Sequence, residues 1–167
     1  EGLEIVKRLI QKCDIVAESF SAGVMKSWGL SFEKMQELNP EIIYLSISGF
    51  GHTGRYSHMI TWGPIAQGFN GLTFMNGLPG EEPAGWGWSY MDCMAGYQAA
   101  AAVLMALHHR NETGEGQHIY IAQIESGIPF TSATILDYTV NGRKTRRDGF
   151  PVGNRAVSPG ERITGFR

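Results

Sequence analysis

The chain has 167 residues, 43% hydrophobic and 18% charged, with 14 basic and 16 acidic side chains and a net charge of −2. That length suits one domain with a sizeable core, and the charge balance argues against a basic nucleic-acid surface or a charged tail. Cys13 and Cys93 lie far apart in no ligand spacing, which argues against a disulfide framework or zinc site, and no apolar run reaches the ~18 residues of a membrane span.

Leu3, Val6, Leu9, Ile10 and Cys13 recur at helical spacing, with Lys7, Arg8, Gln11 and Lys12 between them. Asp14 breaks that pattern, and IVAESF then reads as a strand. AGVMKSWGL reads as a short helix closed by Gly29. Ser31 opens another helix, SFEKMQELN, which Asn39-Pro40 ends. Residues 42–47, IIYLSI, form a near-continuous apolar run that suits a strand covered on both faces, as in parallel sheets. The alternation of helices and strands predicts an α/β fold of the doubly wound kind.

From Ser48 to Tyr90 the composition shifts to Gly, Pro and three of the four Trp residues, with a short helix expected around Pro64 to Gly71. So long a stretch with little regular structure points to function. Asp92 to Arg110 is then expected as a helix, apolar almost all round and therefore buried. His108, His109 and Arg110 would lie in its last turn. NETGEGQ reads as a turn, HIYIA as a strand, and about Gln123 to Val140 as a second helix, followed by a basic, loop-like tail. Glu1 in place of Met, and the open, turn-rich SPGERITGFR at the other end, predict an interior piece of a longer protein.

Asp92 stands where the loop GWGWSYMD meets the alanine-rich helix. An Asp there is a good N-cap and needs no other purpose. The same geometry serves a carboxylate nucleophile, because a helix start favours negative charge and neighbouring glycines admit a substrate closely. SGFGHTG, residues 48–54, follows a strand as a phosphate-cradling turn would, but it lacks a Walker A or dinucleotide pattern, and a plain loop is the simpler reading. His108 and His109 diverge by about 100° on a helix and cannot share an ion, so no metal site is expected. His52 and His58 read as exposed loop residues. Trp62, Trp86 and Trp88 could line a pocket or serve as core. Cys93, without an evident base, reads as an inert buried thiol.

Three blocks taken together are more specific than any of these. CDIVAESFSAGVMKSWGL, LNPEIIYLSISGFGHTG and MDCMAGYQAAAAVLMALHHRNETGEGQHIYIAQIESG, in that order and spacing, closely resemble the class III CoA-transferase family, which includes carnitine-type CoA-transferases, formyl-CoA transferase and α-methylacyl-CoA racemase. The resemblance covers about residues 3 to 160. It implies a mainly parallel, Rossmann-like large domain, with residues 1–145 its central part and 146–167 a connector toward a small domain. It also implies an interlocked homodimer in the cytoplasm, acting on coenzyme A thioesters and carboxylates without metal, nucleic acid or membrane.

By the same resemblance Asp92 is the catalytic aspartate, which forms a mixed anhydride and then an aspartyl-CoA thioester, shielded from water under the aromatic loop. Ser19, Phe20 and Ser21 match nucleotide-contacting positions. Lys26 stands beside Ser27, where the family often has Arg, and is the expected substitute. Ile60, Thr61, Trp62 and Gly63 match a second CoA-contacting loop. Racemases of this family carry a His-Asp pair at the positions of Trp62 and Gly63, neither of which can take a proton at neutral pH. CoA transfer is therefore the expected reaction. An acyl-CoA racemase or isomerase on the same fold, and a non-catalytic acyl-CoA-binding fragment, are the alternatives.

Overall fold

A computed structural model describes residues 1–146, 151–152 and 155–156. Three strands, β1 (Ile15–Glu18), β2 (Ile43–Ser48) and β3 (His118–Ala122), form a parallel sheet in the order β1-β2-β3, with Ile15 opposite Ile43 and Tyr44 opposite His118. Helix α1 (Gly2–Ile10) precedes β1. Helices α2 (Val24–Ser27) and α3 (Phe32–Leu38) connect β1 to β2. Helices α4 (Gly63–Phe69), α5 (Leu72–Met75) and α6 (Tyr90–Thr113) connect β2 to β3. Parallel neighbours need such crossovers, which place every strand's carboxyl end on the same edge of the sheet. The fold is α/β, as the alternation of elements predicts.

β2 is buried at Ile43, Tyr44, Leu45, Ser46 and Ser48, consistent with its near-continuous apolar run. Ile10, Met25, Leu30, Met35, Ile42 and Tyr44 pack as one core cluster, and Ala66, Leu72 and Met91 as another under α4 to α6. Burying a side chain such as Ile42 contributes about 1.5–3 kcal/mol. Side-chain bonds tie the elements. The Asn39 amide donates to the carbonyls of Ile10 and Cys13 at 3.3 and 3.0 Å. Arg110 Nη1, near the end of α6, donates to Asp14 Oδ1 at 3.0 Å, just before β1.

Three sequence expectations change here. Asp92 is not the N-cap of α6. Ser89 holds that place, and Asp92 sits in the first turn as the third helical residue. Ser89 takes the position without a side-chain capping bond, and the Asp92 carboxylate is engaged by Gln123 instead. Nor is α6 buried all round. Met91, Ala95, Ala99 and Ala106 form its inner stripe, packed toward β2 and β3, whereas Tyr97, Leu104 and Met105 stay about 70% exposed. Small Ala side chains let the helix lie close to the sheet on one face only. The helix expected from Gln123 to Val140 is divided: a 3-10 turn, Glu125–Gly127, leads into α7 (Ile128–Asn141). Gln123 and Ile124 instead prolong the β3 ladder, donating to the carbonyls of Ser48 and Gly49 at 2.9 and 3.1 Å. Pro129 lacks an N–H, which is tolerated in a first turn and marks the restart.

A two-residue antiparallel pair, β4 (Pro151–Val152) with β5 (Arg155–Ala156), falls in the expected loop-like tail. Most of the 146–167 connector, including SPGERITGFR, lies outside the described residues. No helix among the described residues is long and apolar enough to cross a membrane.

Candidate active site

The carboxyl ends of all three strands open on one cleft of about 340 Å³. Ser19, Phe20 and Ser21 follow β1, Ser48 ends β2 with Gly49 after it, and Gln123 follows β3. This edge of a parallel sheet is where ligands bind in open α/β folds. The loop before α4 supplies Ile60, Thr61 and Trp62, α4 opens with Gly63, and the start of α6 supplies Ser89 and Asp92. Seven of the eight residues expected to contact CoA therefore share one cavity with Asp92. The eighth, Lys26, lines a neighbouring cavity of about 220 Å³ with Tyr44, His52 and His118. Lys26 leaves from α2, and its neighbour Met25 is buried in the core.

Asp92 is held from three sides. Gln123 Nε2 donates to its Oδ1 at 2.8 Å. Its own amide donates to the Ser89 carbonyl at 3.2 Å. Gly63 faces the other carboxylate oxygen, so closely that a Cβ at residue 63 would overlap Asp92 Oδ2 and the Ser89 backbone. The 60–63 loop is seated in the same way, because a Cβ on Gly49 would run into the Thr61 side chain. Among the described residues, Asp92 is the one ionisable side chain lining this cleft. One oxygen is engaged by the Gln123 amide and the other lies against Gly63, which itself lines the cleft, so the carboxylate stands at the cleft wall within reach of an electrophile bound there.

The expected shielding differs. Asp92 is exposed, and neither Trp86 nor Trp88 lines its cleft. Trp86 packs on Tyr90 with ring centroids 4.4 Å apart, and Tyr90 meets Phe130 at 5.7 Å. Trp86 and Trp88 are themselves exposed, as is Trp62 at the cleft wall. Cys93, expected to be buried, is half-buried.

The profile of CoA-transferase family III matches residues 1–159. The chain belongs to that family. It is 35% identical over 158 residues to the succinyl-CoA–D-citramalate CoA-transferase of Chloroflexus aurantiacus, covering 95% of this chain and 39% of that protein. It is 34% identical over 161 residues to the succinate–glutarate CoA-transferase of Agrobacterium fabrum, covering 96% and 40%. The crystal structure of a CaiB/BaiF family protein from Brucella suis superposes with a TM-score of 0.83 at 34% identity, over 87% of this chain and 39% of that one. The chain thus spans about two fifths of the length of these family III relatives.

Two features of this family III chain escaped the sequence reading. Gln123 was hidden in an expected helix, although its place just after the HIYIA strand was the available signal. The neighbouring cavity gathers groups distant in sequence. The Tyr44 and His118 rings stack at 4.6 Å, and Ser46 Oγ lies 3.0 Å from His118 Nε2. His52, expected to be exposed, is half-buried 6.3 Å from the His118 ring, because its loop folds back over β3. Burial, then a hydrogen bond from its hydroxyl to Glu18 and the charge of that residue, push the Tyr44 pKa up. Burial first, then His52, push that of His118 down, while Glu33 opposes. The unfolded chain therefore takes up a proton at residue 118 near the ordinary value of about 6.5 before the folded chain does. Stability contributed by this ring falls as pH drops through that value toward the lower folded one. NMR titration of His118 is expected to give a midpoint below that of a free histidine; one at or above it would contradict the packing described.

Proposed function

We propose that the whole protein transfers coenzyme A from an acyl-CoA donor to a carboxylic acid, with Asp92 as the nucleophile. Asp92 Oδ2 attacks the thioester carbonyl, the C–S bond breaks, and CoA leaves as thiolate, giving a mixed anhydride. The thiolate then attacks Asp92 Cγ, the Cγ–Oδ2 bond breaks, and the donor acid leaves as carboxylate with that oxygen. The acceptor carboxylate repeats the two steps in reverse and carries the CoA away. Covalent catalysis of this kind divides one difficult transfer into easier steps.

The observation that carries the reading is that, among the described residues, Asp92 is the one ionisable side chain in a cleft otherwise lined by hydroxyl, amide and apolar groups. The same observation weighs against racemisation, which needs an acid or base besides this carboxylate, and Trp62 and Gly63 supply none. Ser19, Phe20, Ser21 and the 60–63 loop would carry the CoA, with Lys26 reaching it from the adjacent cavity. Residues 1–145 would be the central part of the large domain and 146–167 a connector. The family likeness supports an interlocked homodimer acting in the cytoplasm, whose remaining parts would exclude water from Asp92.

The names of relatives include succinyl-CoA, succinate and, for an Acetobacter aceti enzyme, oxalate, so short dicarboxylic acids are the acceptors to try first. The whole protein, given succinyl-CoA and a panel of such acids, is expected to form a new CoA thioester with matching release of succinate. No transfer, but deuterium entering the α-carbon of a 2-methylacyl-CoA, would favour an isomerase. Binding without turnover would favour a non-catalytic acyl-CoA-binding protein.

A further inference from the structure

We infer that Gln123 selects the reactive oxygen of Asp92 and stabilises the charge that develops on the other one, an inference that rests on Asp92 being the nucleophile. An ionised carboxylate offers only acceptors, so the Gln123 amide must present its NH₂ group to it. That donor meets Oδ1 at 2.8 Å. The contact is built on rigid elements at both ends. The Gln123 backbone is clamped to β2 by its bond to the Ser48 carbonyl, and Asp92 is fixed in the first turn of α6. Held so, the carboxylate keeps Oδ1 against Gln123 and leaves Oδ2 beside Gly63, at the wall of the cleft that both residues line.

The consequence appears in the second covalent step. When the thiolate attacks Asp92 Cγ, the carbonyl π electrons move onto Oδ1. That oxygen is then an oxyanion, already bonded to the Gln123 N–H. Collapse returns the electrons, breaks Cγ–Oδ2 and releases the donor carboxylate. The same donor serves the acceptor's attack on the aspartyl thioester. A donor aimed where charge develops, and fixed before reaction, lowers the barrier without binding the substrate more tightly.

Gln123→Met keeps the side chain's size and removes the donor. Gln123→Glu keeps its shape and replaces the donor with an acid that donates only when protonated. In the whole protein, Gln123→Met is expected to lower kcat about 100-fold while KM for the acyl-CoA stays within about threefold. Gln123→Glu is expected to recover relative to Gln123→Met as pH falls from about 8 to about 5.5, because protonation restores an O–H donor. A merely structural role gives no such pH-dependent recovery. Hydroxylamine quenching of the wild type, run alongside, separates the two readings. If the wild type yields no adduct on Asp92, the nucleophile reading fails. If it does, and Gln123→Met loses less than about threefold in kcat or loses only in KM, the role given to Gln123 fails alone. Should Gln123→Met not fold, Gln123→Glu carries the test: an activity ratio to wild type that does not change with pH overturns the inference.

Discussion

Asp92→Ala in the whole protein is expected to lower CoA transfer by roughly 10⁴-fold or more, as loss of a covalent nucleophile does. Binding of CoA should change little, because Ser19, Phe20, Ser21 and the 60–63 loop line the cleft independently of that carboxylate. Asp92→Asn keeps the shape of the side chain and should be as inactive, since an amide is a poor nucleophile. Steady-state assays of transfer, with CoA affinity measured separately by calorimetry, check both. A variant keeping a tenth or more of the activity would show that another group attacks the thioester.

Gly63→Ala should be the most damaging single-methyl change near the cleft. The added carbon would occupy the space of Asp92 Oδ2, a side-chain end that can turn, and of the Ser89 backbone, which cannot move without the helix start. The carboxylate must rotate away from its present orientation, or α6 must shift. A displacement of about 1 Å at a reacting group costs on the order of 100-fold in rate, and forced overpacking costs about 1–3 kcal/mol in stability. Gly68 supplies the control. It lies on the same helix with open space where its Cβ would be, so Gly68→Ala should leave activity unchanged and raise helix stability by about 0.5–1 kcal/mol. Equal activity in the two variants would contradict the close approach of α4 to Asp92.

Where one local pattern dictates the structure, the sequence was readable. The near-continuous apolar run of β2 suited a strand covered on both faces, and Ser31 with Asn39-Pro40 bracketed α3 closely. Boundaries set by competition were harder. Ser89 and Asp92 are both good caps by residue type, and α6 starts after Ser89 with no side-chain capping bond. Alanine hid the facing of α6, because a residue that packs well against a sheet is also content in water. The clefts were least legible. Asp92 and Gln123 are brought together by the parallel sheet, 31 residues apart in the chain, and nothing local links them. Tyr44 and His118 become stacked only through the β2–β3 register. The water shield over Asp92 that the family resemblance implies is not formed by Trp86, which packs on Tyr90.

The most direct measurement is chemical trapping. The whole protein is mixed with an acyl-CoA, quenched with hydroxylamine within the first turnover, digested and mapped by mass spectrometry. An activated aspartyl ester or thioester reacts to leave a hydroxamate, which is expected on the peptide containing Asp92 and absent from Asp92→Ala. A hydroxamate on a different carboxylate, or none while transfer proceeds at its normal rate, would contradict the account.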